Sequence, residues 1–281
     1  MIEKRVSFYQ IVRWMIILMA VFAVILPIVF LFLTSVKPQI ELYNNPKILP
    51  SKVIWDHYRD IFTFESLNSG ILFNLKNTLI VALSSTLISV VIGSMCAYGL
   101  TRLRQGRLIA LITGLIVVVR FYPKITMILP YFTLMKNLHL LDHVLSIIIA
   151  HVSLGIPLTV IMMTTFYSEV PRELEEASRV DGASVLTAYF KIVVPTTLNG
   201  MAATAILLVM NSWNEFLIAS ALASNNAKTF PIVIAGFITD KGTNWGGMAA
   251  LSMVAMVPMI LIVLFAQKYL IRGLTAGAVK G

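Results

Sequence analysis

The sequence contains few charged residues for its length. Asp, Glu, Lys and Arg make up 12% of its 281 residues, whereas about a quarter of an ordinary soluble chain is charged. Apolar residues make up 58% of the chain, and the mean hydropathy is +0.86. This shortage of charge argues against a soluble domain and favours a chain that lies in a membrane.

Several chemical functions are also excluded by what is missing. Cys96 is the single cysteine and lies in an apolar run, so no disulfide framework exists. The sequence has no Gly-x4-Gly-Lys-Ser/Thr pattern to hold a nucleotide phosphate. His139 and His143 in "HLLDH" stand four apart, but Leu140 follows the first His where a zinc protease has Glu. We therefore predict no catalytic residue, no metal site and no cofactor in this chain.

Long uncharged runs occur throughout the sequence. Five of them are 23 to 26 residues long, and they cover 14–36, 77–101, 143–168, 192–214 and 242–267. A helix needs roughly 20 apolar residues to cross a bilayer, so each run crosses once. A sixth candidate, 108–135, is interrupted by Arg120 and Lys124. The sequence therefore predicts an all-α, polytopic membrane protein with six transmembrane helices.

The basic residues are concentrated on one side of these six spans. With six spans, both termini share a side with the short segments 101–107 and 168–191. Twelve of the 22 Lys and Arg residues lie there: Lys4, Arg5, Arg13, Arg102, Arg104, Arg107, Arg172, Arg179, Lys191, Lys268, Arg272 and Lys280. Short basic segments stay in the cytoplasm, so we predict that both termini are cytoplasmic. The net charge of +9 is then a topology signal, and no nucleic-acid partner is expected.

This topology divides the chain into four parts. Residues 1–36 form the cytoplasmic N-terminus and first span, and 37–73 form an extracytoplasmic loop. Residues 74–270 form the membrane core, and 271–281 form a cytoplasmic tail. The segment 222–247 also faces outward, and its apolar stretch "FPIVIAGFI" is too short to span.

The densest acidic patch, "EEASRVDG" at 175–182, lies in the predicted cytoplasmic segment 168–197. Pro171 and Gly182 are typical of a helix start and a helix end, and Leu174, Ala177 and Val180 form an apolar stripe between them. Glu175 and Arg179 stand four apart and can pair on the flank. A helix this short is not stable alone, so it docks either on its own bundle or on another protein.

The same stretch resembles the EAA loop of bacterial ABC-importer permeases. That pattern is Glu-Ala-Ala, three residues, Gly, nine residues, Ile, one residue, Leu-Pro. The chain has Glu176-Ala177-Ser178, three residues, Gly182, nine residues, Ile192, one residue and Val194-Pro195. The spacing matches throughout, and Ser178 and Val194 are the two departures. The resemblance implies the type I importer permease fold and a coupling helix seated in a groove of a cytoplasmic ATPase subunit. It assigns to that joint Glu175, Glu176, Ala177, Ser178, Asp181 and Gly182.

Three further segments resemble the sugar-importer branch, specifically the maltose-transporter type of second permease. They are "AYGLTRLRQGR" at 97–107, "NSWNEF" at 211–216 and the tail "GLTAGAVKG" at 273–281. The resemblance implies import of a carbohydrate, an oligosaccharide in particular, across a bacterial inner membrane. It also implies a second homologous permease, an ATPase dimer that binds ATP and Mg²⁺, and an extracytoplasmic solute-binding protein.

Polar residues inside the predicted spans mark a candidate pathway. Charged side chains are costly at mid-bilayer. Counted along the helices, Arg120 and Lys124 of the third span lie at a depth similar to that of Glu215 in the fifth span. We therefore expect a substrate pathway or gate formed by Arg120, Lys124, Asn211, Trp213, Asn214 and Glu215. Lys124 and Glu215 could instead snorkel to the outer interface. The two cations also allow an acidic sugar as cargo.

A different class of function stays open beside the importer. An ion-gradient-driven secondary transporter or channel would also be polytopic and apolar. Such proteins typically carry internal repeats with broken helices and acidic residues near the membrane midplane. The sequence shows no convincing repeat and few acids in its spans, so we favour the importer subunit.

Overall fold

The computed structural model describes residues 8–44, 47–63, 70–103, 106–240 and 242–276, and side chains up to residue 269. The predictions for Lys4, Arg5, Arg104, Lys280 and the end of the tail lie outside these residues. The helices, in chain order, are α1 (Phe8–Ser35), α2 (Gln39–Asn44), α3 (Asp56–Thr63), α4 (Gly70–Arg102), α5 (Arg107–Phe121), α6 (Ile128–Asn137), α7 (Val144–Ser168), α8 (Arg172–Val180), α9 (Val185–Ala188), α10 (Val194–Thr196), α11 (Leu198–Trp213), α12 (Leu217–Leu222), α13 (Phe230–Ala235) and α14 (Trp245–Ala276). Two short strands, β1 (Ile238–Thr239) and β2 (Gly242–Thr243), form an antiparallel hairpin.

Within the described chain, four helices are long and apolar enough to cross a membrane: α1, α4, α7 and the part of α14 up to Tyr269. Two more spans are bent pairs of helical segments, Arg107–Phe121 with Lys124–Asn137 and Val185–Thr196 with Leu198–Trp213. Counting each bent pair as one span gives six. The prediction of an all-α protein with six transmembrane helices is confirmed.

The third span, predicted as one run over 108–135, is sharply bent. Its two halves meet at 95°, and the break contains Pro123, which follows the extended residue Tyr122 at φ −64° and ψ 134°. A residue before proline is driven out of the helical region, which ends α5 here. Pro130 lies in the first turn of α6, where a missing N–H removes no helical bond, so it does not add a second break.

The fifth span is also bent, by 77°. A π-helical turn, Tyr189–Val193, lies just before Pro195, whose ring cannot donate the N–H that a regular helix needs there. The bend itself comes at Thr197, between α10 and α11. The straight part of this span, Leu198–Trp213, therefore begins six residues later than the uncharged run at 192.

The helices α4 and α7 pack closely over much of their length. The buried face of α4 is rich in small side chains, including Ala82, Ser85, Ser89 and Ala97. A Cβ on Gly93 of α4 would lie 2.5 Å from the Cβ of Thr159 on α7, so only glycine allows the two helices to approach this closely. Small residues at such contacts are typical of membrane helix pairs, where close packing replaces the hydrophobic effect.

The chain divides into two compact units, and the one formed by 1–65 and 234–257 contains residues 37–65 of the predicted outer loop. In this unit the backbone N–H of Ile54 donates to the Val36 carbonyl at 2.8 Å. The Gln39 amide donates to the Thr243 carbonyl at 3.1 Å and accepts from the Gly246 N–H at 3.2 Å. The predicted loop therefore contains two short helices, α2 and α3, and is tied to the hairpin by side-chain bonds. The helix α1 is exposed along nearly all its length, as expected of a helix that faces lipid.

Candidate functional site

The acidic stretch forms a short amphipathic helix, as its sequence predicts. The helix α8 covers Arg172–Val180, and Pro171 immediately precedes it. The predicted apolar stripe is exposed: Val180 is 88% exposed and Leu174 is 47% exposed. The described chain therefore leaves the apolar side of α8 uncovered, and its own membrane helices contact another side.

The helix ends in a left-handed glycine turn. Gly182 has a φ of +87°, a backbone conformation that L side chains rarely adopt. Its N–H donates to the Arg179 carbonyl at 3.1 Å, and the N–H of Ala183 donates to the Ser178 carbonyl at 2.9 Å. This pair of bonds is the Schellman motif, which satisfies the last carbonyls of a helix and turns the chain sharply.

The two adjacent acids of α8 have different environments. Glu176 is exposed, whereas Glu175 is 8% exposed. The Glu175 carboxylate accepts a bond from the Tyr98 hydroxyl at 2.6 Å and one from Nε of Arg102 at 2.7 Å. The prediction that Glu175 pairs with Arg179 is wrong, because the carboxylate points inward to the end of α4.

Arg102 also bonds to the end of a second membrane helix. Its guanidinium donates to the Tyr167 carbonyl at 3.2 Å and to the Val170 carbonyl at 3.3 Å, at the C-terminal end of α7. A cation is favourable there because the last carbonyls of a helix lack intrahelical donors. A separate bond at 3.0 Å joins the Arg172 guanidinium to the Thr101 carbonyl.

The remaining predicted coupling residues lie on or beside the exposed side of α8. Ala177, Asp181 and Gly182 are exposed. Ser178 is half-buried, and its hydroxyl donates to the Glu175 carbonyl at 2.8 Å. Apart from Glu175, the set therefore offers a largely uncovered surface.

Four of the predicted pathway residues come together at a second place, between the membrane helices. Arg120, Lys124, Asn211 and Glu215 line a cavity of about 50 Å³, which has room for a few water molecules. Residues from α4 and α7 complete its wall, among them Ser85, Ser89, His151 and Gly155.

The other two predicted pathway residues lie elsewhere. Asn214 lines a larger depression of about 460 Å³, which shares Lys124, Asn211 and Glu215 with the first cavity and also includes Phe216. Trp213 is 3% exposed and packs on Phe230 with ring centroids 6.1 Å apart. It lines neither of these spaces, and its indole has a packing role.

Glu215 is held from several sides rather than snorkelling to an interface. The residue is 6% exposed, and its carboxylate accepts the backbone N–H groups of Ile218 at 3.2 Å and Ala219 at 3.0 Å. These donors lie in the first turn of α12, where a carboxylate satisfies N–H groups that have no helical partner. The Nε2 atom of His151 lies 3.4 Å from the same carboxylate.

His151 and its hydroxyl partners were not predicted from the sequence. Nδ1 of His151 lies 2.7 Å from the Ser212 hydroxyl, which in turn lies 3.3 Å from the Ser85 hydroxyl. The chain of contacts therefore runs from α4 through α11 and α7 to Glu215. One signal was available, because a titratable side chain inside a transmembrane run is a marker of function.

The "HLLDH" segment has a structural use of its own. Asp142, at a φ of +60°, accepts the backbone N–H groups of Ser224, Asn225 and Asn226, each at 2.9 Å. Burial acts to raise the pKa of the Asp142 carboxyl, but these backbone donors together lower that pKa below its ordinary value. The carboxylate thereby fixes the loop that follows α12.

Two characterised relatives resemble this chain over nearly its whole length. The trehalose transport system permease protein SugB of Mycobacterium tuberculosis is 33% identical over 261 residues, covering 92% of this chain and 93% of SugB. The sulfoquinovosyl glycerol transport system permease protein SmoH of Agrobacterium fabrum is 34% identical over 257 residues, covering 91% of this chain and 88% of SmoH.

The same fold occurs in a solved transporter and in a defined protein family. A bacterial ABC transporter involved in the import of the acidic polysaccharide alginate contains a chain that superposes with a TM-score of 0.75 at 19% identity, covering 96% of this chain and 99% of that one. Residues 89–276 match the family described as binding-protein-dependent transport system inner membrane component. This range includes α8 and most of the cavity residues, although Ser85 precedes it. The chain therefore belongs to that family of multi-pass transport permeases.

Proposed function

We propose that this chain is the membrane-spanning permease subunit of an importer that moves a carbohydrate into the cytoplasm and is driven by a separate ATPase. The observation that carries this proposal is the exposed apolar side of α8 beside an acidic rim. Leu174 in the first turn of α8 and Val180 at its last residue are both uncovered, and the exposed acids Glu176 and Asp181 lie beside them. A protein groove that covers these apolar side chains and pairs with the acids is the partner that this surface fits.

The family supports the rest of the assembly. Its members depend on a binding protein, so we propose an extracytoplasmic solute-binding protein that delivers the cargo. A second homologous permease completes the pathway, and an ATPase dimer holds ATP and Mg²⁺. This chain contributes no catalytic group. Both of its termini lie in the cytoplasm, which places α8 on the same side as the ATPase.

A carbohydrate is the cargo that the relatives favour. SugB is named for trehalose and SmoH for sulfoquinovosyl glycerol, and both names denote glycosides. Arg120, Asn211 and Glu215 around the cavity provide donors and acceptors of the kind that sugar hydroxyls bind. The cavity of about 50 Å³ is smaller than a sugar ring, so transport requires the walls formed by α4, α7 and α11 to move apart.

The experiment is purification of the tagged chain from its native membrane with its neighbours retained. The importer predicts that an ATP-hydrolysing subunit and a second permease purify with it in a fixed ratio. A gradient-driven carrier or channel purifies without an ATPase, and that result would overturn the proposal.

The pathway residues are tested in the same preparation. Glu215→Gln keeps the shape of the side chain but removes the charge that the N–H groups of α12 and His151 face, and Arg120→Gln removes a cation from the cavity. Each is expected to lower transport by about ten-fold to a hundred-fold, since losing a charged group that faces buried donors or cargo costs about 1.5–3 kcal/mol and each 1.4 kcal/mol is about a factor of ten. Asn225→Ala, a change in an exposed loop whose backbone N–H still bonds to Asp142, serves as control. Wild-type transport in both pathway variants would remove these residues from the path.

A further inference from the structure

We propose that Glu175 does not contact the ATPase, and that it is a positioning residue which locks the coupling helix α8 onto the membrane helices α4 and α7. This inference depends on the proposed function, because it concerns how motion of the ATPase reaches the cavity. It assigns different tasks to two adjacent acids: Glu176 faces outward, and Glu175 is 8% exposed and faces its own chain.

One guanidinium joins three elements of the structure. Arg102, in the last turn of α4, bonds to Glu175 of α8 and to the carbonyls of Tyr167 and Val170 at the end of α7. The Tyr98 hydroxyl, one turn earlier on α4, bonds to the second carboxylate oxygen of Glu175. Both carboxylate oxygens of Glu175 are therefore held by the same helix.

Short bonds to the charged Glu175 carboxylate make the junction between α8 and α4 stiff. Hydrogen bonds to charged groups are shorter and stronger than those between neutral groups, and the bonds of Glu175 measure 2.6 and 2.7 Å. The side chains of Arg102 and Glu175 are only 16% and 10% exposed, although they line a depression of about 530 Å³. Water and salt therefore screen these contacts less than they screen a fully exposed pair. A buried arrangement of this kind resists displacement of α8 relative to the end of α4.

The junction is connected to the transport cavity through α4 and α7. The helices α4 and α7 supply Ser85 and His151 to the cavity wall. They pack closely against each other, with Gly93 of α4 facing Thr159 of α7, and close packing of this kind transmits displacement from one helix to the other. A displacement of α8 that reaches Arg102 therefore moves both helices together and with them the wall of the cavity.

The experiment follows ATP-driven movement at the cavity and needs no knowledge of the cargo. In the assembled complex, Cys96 is replaced by Ser and a reporter cysteine is placed at the exposed cavity residue Asn211. Its rate of labelling by a membrane-impermeant maleimide is measured with and without ATP and Mg²⁺. Co-purification of the ATPase and its rate of hydrolysis are measured on the same sample.

Glu175→Gln is expected to keep the ATPase bound and hydrolysing while the ATP-dependent change in labelling falls by about ten-fold, a common size for coupling between sites. The matched control is Glu173→Gln, which removes the same charge from an exposed position on the same helix and is expected to leave the change intact. Tyr98→Phe removes one of the bonds and keeps the ion pair, so it is expected to give a smaller loss.

Each other result overturns the inference in its own way. Loss of the ATPase from Glu175→Gln alone would show that Glu175 is a docking contact. An unchanged ATP response in both Glu175→Gln and Tyr98→Phe would show that the junction transmits nothing. If Glu175→Gln does not fold, the inference is tested by Tyr98→Phe alone, through its ATP-dependent change in labelling. Failure of the proposed function itself is distinguishable, because the unaltered complex would then contain no ATPase.

Discussion

At the scale of single residues, the two candidate sites depend on a few side chains whose environment could not be deduced from their neighbours in sequence. Glu175 and Glu176 are adjacent acids on one short helix, yet Glu175 is buried and Glu176 is exposed. Burial is decided by Arg102 and Tyr98, which lie more than 70 positions away in the chain. Sequence spacing predicted the helix correctly and could not predict this long-range pairing.

Gly182 gives the first prediction at this scale. Its φ of +87° has open space around the position of a Cβ, so a substitution there is penalised by the backbone alone. Gly182→Val is expected to destabilise the end of α8 by about 1–2 kcal/mol, and amide exchange over 172–183 should accelerate by about ten-fold. Gly182→Asn, whose side chain tolerates this backbone conformation, should exchange more slowly than the Val variant. Equal exchange in both variants would contradict the account.

Asp142 gives a prediction about pH. Its folded-state pKa lies below the ordinary value of 3.8, so the carboxylate stabilises the folded state above that value and loses this effect as the pH falls through the folded pKa. Asp142→Asn removes the charge at every pH. The wild type should therefore melt at a higher temperature than Asp142→Asn near neutral pH, and the difference should shrink as the pH falls from about 5 to about 3. A constant difference across that range would be inconsistent with this role.

At the scale of the elements, hydropathy predicts spans well because the bilayer imposes length and composition on each helix. It does not predict angles. Pro123 indicated a break in the third span, but the 95° between its halves depends on what each half packs against. The hairpin of β1 and β2 was not predicted either, since each strand is only two residues long and leaves no alternation to detect.

The pairing of α4 with α7 gives a prediction at this scale. Gly93→Val places side-chain atoms into the contact with Thr159 and should reduce the stability of the purified chain by about 1–3 kcal/mol, measured as a lower melting temperature. Gly114→Val on α5, where a Cβ meets nothing within 4 Å, is the matched control. Its effect should stay within about 0.5 kcal/mol. An equal loss in both variants would show that the close approach at Gly93 does not limit the packing.

At the scale of the whole molecule, the family and the arrangement of spans could be predicted from the sequence, because the motif 176–195 and the uncharged runs are local signals. Much of the candidate cavity was also foreseen, since depth along the spans placed Arg120, Lys124, Asn211 and Glu215 at one level. The contributions of Ser85 and His151 were not foreseen. They lie on α4 and α7, whose sequences are mainly apolar because each helix must span the bilayer. Only the packing of these helices brings the two side chains together.

The central claim is that α8 is the surface through which a separate ATPase moves the membrane helices, and cross-linking tests it most directly. With Cys96 replaced by Ser, a single cysteine is introduced at Val180, which is 88% exposed, or at Val118 on α5, which is 63% exposed. Native membranes are then treated with a short cross-linker that carries a maleimide for the introduced cysteine and a photoreactive diazirine for any neighbouring residue. After illumination, the products are identified by mass spectrometry. The account predicts that the cysteine at 180 is joined to an ATP-hydrolysing subunit and that the cysteine at 118 is not. Cross-links from position 180 only to this chain, in membranes that hold the intact transporter, would contradict it.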